Sequence, residues 1–143
     1  MNAMFEDLKI PRLSFTKIIV GDVERVFAFY RDVFGIEQQV RVKIGEGYDQ
    51  LDEIVSKAVG GVGAPTLVIK SFVNRPAPAP GEMQIGFVVP NVDATISAAL
   101  AAGGKVLKPA VDRPEHGIRV AFLHDVEGHT VEIVEMLSAA KSV

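Results

Sequence analysis

Two distant stretches of this chain repeat one plan. "LSFTKIIV" (Leu13–Val20) is rich in β-forming residues and runs into Gly21 and "DVERVFAFYRDVFG" (Asp22–Gly35). "MQIGFVVP" (Met83–Pro90) runs into "NVDATISAALAAGG" (Asn91–Gly104). Advancing the first stretch by 69 residues carries Val20 onto Val89, Asp22 onto Asn91, Val23 onto Val92, Phe27 onto Ile96 and Gly35 onto Gly104, without a gap. Strand, cap, helix and terminal glycine coincide, and an internal duplication explains this most economically. The chain must therefore fold as two copies of one unit.

Local signals define the unit. Asp22 and Asn91 are N-cap residues, and the glycines end the helices. Val23, Val26, Phe27, Tyr30 and Phe34 recur at three- and four-residue spacing, as do Val92, Ile96 and Leu100, which predicts one apolar stripe per helix. Three strand-like segments follow each helix: 37–44, 48–58 and 65–72, then 105–110, 118–124 and 130–137. Turn residues separate them, as in "GEG" (45–47), "GGVGAP" (60–65), "RPEHG" (113–117) and "DVEG" (125–128). "NRPAPAPGE" (74–82) predicts a stiff linker. The expected fold class is α+β, with tandem βαβββ modules at 13–73 and 83–137 forming a curved mixed sheet around a cleft. An N-terminal arm (1–12) and a C-terminal tail (138–143) complete the domain plan.

Composition narrows the function. A formal charge of −3 and the absence of any Lys/Arg-rich run argue against a nucleic-acid partner. With no cysteine there is no thiol nucleophile, thiolate metal site or disulfide. No apolar run approaches membrane-span length, and "MNAMFEDLKIPR" does not read as a secretory signal. The expectation is a cytoplasmic protein with no membrane partner.

Alternation assigns strand faces. Ile18 and Val20, Leu67 and Ile69, Ile85, Phe87 and Val89, and Val131 and Ile133 should face the helices. Phe15, Lys17, Val68, Lys70, Gln84, Val88, Glu132, Val134 and Met136 should face away. "EGHTVEIVEML" (127–137) thus sets the carboxylate of Glu132 on a mostly apolar face beside Gln84. A carboxylate among Phe15, Val68, Val88, Val134 and Met136 would be costly to keep ionised, which suits it to proton transfer.

"VGDVERVFAFYRDVFGIE", "GFVVPNVDATISAALAAGG" and "RVAFLHDVEGHTVEIVE" together resemble the vicinal-oxygen-chelate superfamily of glyoxalases, bleomycin-resistance proteins and extradiol dioxygenases. The resemblance covers roughly residues 13 to 137. It implies a divalent-metal site with one ligand from the first and last strand of each half, here Phe15, Val68 (or Leu67), Gln84 and Glu132. Only Gln84 and Glu132 offer an oxygen. The expectation is therefore that no metal cofactor is used, with a divalent metal on Gln84 and Glu132 as the alternative. The resemblance also implies a homodimer.

Further candidates complete the expected site. Tyr48 follows "GEG" and could serve as donor or acid beside Glu132 and Gln84. Phe72, Arg119 and the apolar positions would line the substrate pocket, and Lys70 could clamp an anion. Phe15, Phe72 and Met136 point to a small hydrophobic or aromatic ligand. "GGVG" (60–63) lacks the Lys-Ser/Thr of a phosphate loop, and "DVEG" lacks the oxygen spacing of a calcium loop. The expected function is that of a glyoxalase-like enzyme, metal-independent, with Glu132 as general base for isomerisation, epimerisation or lyase chemistry on a hydrophobic carbonyl compound. The alternatives are a non-catalytic ligand-sequestering protein of the bleomycin-resistance type and a metal-dependent lyase or dioxygenase.

Overall fold

The computed structural model describes residues 9–138; residues 1–8 of the expected arm and 139–143 of the expected tail lie outside them. In order, the elements are β1 (Phe15–Ile19), α1 (Val23–Phe34), β2 (Gln38–Ile44), β3 (Leu51–Ser56), β4 (Thr66–Phe72), β5 (Gln84–Val88), α2 (Val92–Ala101), β6 (Lys105–Arg113), β7 (Ile118–His124) and β8 (Thr130–Met136). The βαβββ plan occurs twice. Each set of strands forms its own four-stranded mixed sheet, ordered β1-β4-β3-β2 and β5-β8-β7-β6. β1 with β4 and β5 with β8 are parallel, and the remaining pairs are antiparallel. Among the described residues no helix is long and apolar enough to cross a membrane.

The chain divides into two compact units. Of the described residues, those up to Val23 group with Ile36–Ala77, and Glu24–Gly35 group with those from Pro78 onward. In the first unit, Ile18, Ile54, Leu67 and Ile69 are buried on one sheet face. Arg41 grips Asp52 in a bidentate pair on that face, at 2.9 and 2.8 Å. The opposite face carries Phe15, Lys17, Val68, Lys70, Phe72 and Glu53.

In the second unit, Ala121, Leu123, Val131 and Ile133 are fully buried on one face. Both helices pack there. Phe34 of α1 stacks on Phe87 of β5 with ring centroids 3.9 Å apart. The α2 residues Val92 and Asp93 reach Glu135 and Arg119 on the same face. The sequence reading assigned α1 to its own module's sheet, but its aromatic side chains pack on the second. The cause is volume: α2 buries only Val92, Thr95 and Ala99, which leaves room that Phe29, Tyr30 and Phe34 fill.

Three other expectations need adjusting. Leu100, expected on the α2 stripe, is exposed, because the buried side of α2 is made of small residues. The segment expected as strand from 48 begins with a 3-10 turn at Gly47–Asp49. β6 does not stop at Ala110 but runs to Arg113 through Pro109, with register shifts. As the edge strand, β6 tolerates the missing N–H of a proline.

The terminal glycines also differ from a simple repeat. The residue that leaves α1 with positive φ is Gly35 (φ 70), but its counterpart after α2 is Gly103 (φ 93). Gly104 is required for a different reason. A Cβ there would lie 2.7 Å from both the His124 carbonyl and Phe29 Cε2.

Candidate functional site

Register builds the open face of the second sheet. Gly86 lies beside Glu132 on one side, and Phe122 faces it on the other. Gln84 pairs with Thr130, Val88 with Val134, His124 with Thr130, and Ile118 with Met136. Because side chains alternate, Gln84, Val88, Phe122, His124, Glu132, Val134 and Met136 all lie on one face, away from both helices. Gly86 offers no side chain, so the β5 side of Glu132 is left uncovered. Glu132 is half-buried, whereas Gln84 is exposed and Val88 is 74% exposed. Among the described residues no hydrogen bond or ion pair reaches the Glu132 carboxylate. Glu135, on the opposite face, instead accepts from the Val92 amide at 2.8 Å.

The other candidates sort by unit. Phe15, Val68 and Phe72 share the open face of the first sheet, with Phe15 58% exposed and Val68 buried. Tyr48 stands in the 3-10 turn with its ring against Arg75, whose guanidinium carbon is 4.0 Å from the Tyr48 centroid and 3.5 Å from that of Phe72. Arg119 faces away from Glu132. It is held by Asp112 at 2.9 Å and Asp93 at 3.0 Å, so it braces β6 and α2 and does not line the face that carries Glu132. His116 stands in a 3-10 turn at Pro114–His116.

Two polar constellations were not anticipated. In the first sheet, Lys17 Nζ lies 3.1 and 3.4 Å from the two Glu53 oxygens, and Glu53 is only 8% exposed. Alternation exposes Lys17, but pairing it with Glu53 requires knowing that β4 lies between β1 and β3. In the second unit, the buried Asp125 accepts from Tyr30 Oη (2.8 Å), the Glu127 amide (2.9 Å), the His129 amide (3.0 Å) and His129 Nδ1 (2.9 and 3.0 Å). Burial alone would push the Asp125 carboxyl up. The hydrogen bonds and charge of His129, with the Tyr30 bond, outweigh it and hold the group below the ordinary carboxylate range. Burial, then the adjacent Asp125 charge, drives the Tyr30 phenol well above its ordinary value. Tyr30 is thus a hydrogen-bonding anchor as well as a packing residue, signalled only by the polar tip on an otherwise apolar stripe.

The divalent metal implied by the resemblance can be tested against the donor set. Phe15 and Val68 carry no donor atom, and among the described residues no three His, Asp or Glu side chains gather to hold a metal ion. One amide and one carboxylate do not match a catalytic site built on three protein ligands.

Comparison with known proteins supplies the context. The family model described as the glyoxalase/bleomycin resistance protein/dioxygenase superfamily matches residues 12–133. Among curated proteins no sequence matches significantly. A glyoxalase family protein from Bacillus cereus superposes with TM-score 0.78 at 18% identity, covering 93% of this chain and 99% of that one. A glyoxalase I variant from Zea mays gives TM-score 0.69 at 20% identity over 86% of this chain and 46% of its own. The present chain thus spans about half of the maize protein. TioX from Micromonospora gives TM-score 0.61 at 22% identity over 89% of this chain and all of its own. At these identities the likeness is one of fold.

Proposed function

Because the chain belongs to the glyoxalase/bleomycin resistance protein/dioxygenase superfamily, we propose that it binds a small hydrophobic carbonyl compound on the open face of the second sheet and enolises it without a metal. The observation that carries this reading is the Glu132 carboxylate, which stands on an apolar face with no partner among the described residues. A carboxylate held this way is free to take a proton from the carbon beside a substrate carbonyl. Phe122, Val134 and Met136 supply apolar contact, and Gln84 can donate its amide N–H to the carbonyl oxygen. His124 lies diagonally one rung along the same face and returns a proton to the α-carbon of the enolate, which gives epimerisation; with an α-hydroxy carbonyl substrate, the enediolate takes the proton at the neighbouring carbon as its hydroxyl loses one, which gives isomerisation. Neither step changes the oxidation state of the substrate as a whole.

The test is α-proton exchange of phenylacetone in D2O, followed by NMR in the presence of a chelator. The expected result is catalysed exchange that survives chelation and falls by about 10²–10⁴-fold in Glu132→Gln. Exchange abolished by the chelator would overturn the metal-free reading. A second reading, ligand sequestration, is favoured by the openness of Val88 and Phe15. It predicts saturable binding with no exchange, indifferent to Glu132→Gln.

A further inference from the structure

The duplication provides an internal control for the open face of the first sheet. Val68 occupies in β4 the place that Glu132 occupies in β8: Val68 is paired with Lys17 and Val55, and Glu132 with Gly86 and Phe122. By the same registers Lys17 corresponds to Gly86, and Glu53 to Val120. The second sheet therefore carries one carboxylate between a glycine and a phenylalanine. The first carries an apolar residue at that place and an ion pair beside it. Glu53, on β3, reaches across β4 to Lys17 on β1, and Lys70 stands directly opposite Glu53 in the β3–β4 register.

Glu53 is nearly buried while Lys17 stays exposed, so the desolvation cost falls on the carboxylate, and the pair's attraction recovers only part of it. Gly86 and Val120 stand at the corresponding positions of the second sheet, so folding of this topology does not require the pair. The cations also outnumber their partners. Lys17 has three N–H donors and engages one carboxylate. Lys70 lies 4.6 Å over the Phe72 ring and makes no ion pair among the described residues. Arg75 is stacked on Phe72 at the end of this face, and its one ion pair among the described residues, to Asp49, is long at 3.8 Å. Phe15, 58% exposed, adds an apolar surface on the same face.

We propose that this face is a binding site for a small monocarboxylate with an aromatic or apolar body, its carboxylate held by Lys17 and Lys70 and its body laid on the exposed ring of Phe15. Glu53 is a positioning residue that fixes the Lys17 ammonium. The surplus of one positive charge in the Lys17–Glu53–Lys70 group matches a monoanion. The proposal does not rest on the chemistry proposed at Glu132 and is tested without it.

Benzoate and its neutral isostere benzamide are the probes, added to the full chain and followed by amide NMR and calorimetry. The expected result is saturable benzoate binding that shifts the amides of Lys17, Val68 and Lys70. Benzamide should bind at least about ten-fold more weakly, since a charge-assisted contact is lost. Added salt should weaken benzoate alone. Lys17→Met and Lys70→Met should each reduce benzoate affinity about ten-fold. Should Lys17→Met misfold because Glu53 is left unpaired, Lys70→Met reads the same face without breaking the pair. The proposal is overturned if benzoate and benzamide bind alike, if the shifts fall on β5 and β8, or if no shift appears at about ten millimolar benzoate.

Discussion

Asp125 accepts from the Tyr30 hydroxyl, the Glu127 and His129 amides and His129 Nδ1, and its carboxyl makes the second unit sensitive to acid. Its folded carboxyl is held below the ordinary value, so the stability it contributes is present above the unfolded value of about 3.9. That stability is lost as pH falls through the lower folded value. Denaturant unfolding followed from pH 6 down to about pH 3 should show wild-type stability falling more steeply than that of Asp125→Asn. Tyr30→Phe removes the buried 2.8 Å bond to this carboxylate while keeping the edge-to-face contact with Phe29 and the stack on Phe34. It should cost about 1.5 kcal/mol, read as a shift in the urea midpoint at constant slope. A change within a few tenths of a kcal/mol would mean that His129 and the turn amides satisfy Asp125 without the phenol.

At the level of elements, Gly104 joins the start of β6 to both helices. Gly104→Ala would force a methyl against the His124 carbonyl and the Phe29 ring, and backbone cannot yield as a side-chain tip does. The expected loss is about 2–3 kcal/mol, whereas Gly35→Ala, with open space around its Cβ but φ 70, should lose only about 1 kcal/mol. Thermal unfolding of the two variants separates steric from conformational demand. That distinction was not legible in the sequence, where both glycines look like helix stops. Much else was legible. The alternation of "MQIGFVV" and "TVEIVEM" placed Phe87 and Ile133 toward the helices and Glu132 away from them, as observed. The Asn91 cap was legible too, and its side chain accepts from the Ala94 amide at 2.8 Å. What local patterning could not supply was lateral information. It cannot say that Glu53 reaches Lys17, that Asp125 meets Tyr30 ninety-five positions away, or which sheet receives the aromatic side chains of α1.

For the whole molecule, apolar exposure points to self-association. Val40 and Ile44 stand exposed on one face of the edge strand β2 of the first sheet, and Val88 stands exposed in the second. Isolated soluble chains seldom leave several large apolar side chains uncovered on one face. Sedimentation equilibrium should report a homodimer that Val40→Lys with Ile44→Lys shifts toward monomer; a concentration-independent monomer in the wild type would count against it. The strand orders carry one more consequence. β8 lies inside its sheet, between β5 and β7, yet it is the last of the four to be synthesised. While β8 is still inside the ribosome, β5 has no partner strand and the β6–β7 hairpin has one bare edge. The second sheet therefore closes by insertion after translation has passed Met136, and a nascent chain stalled before Thr130 should be open to protease attack along β5.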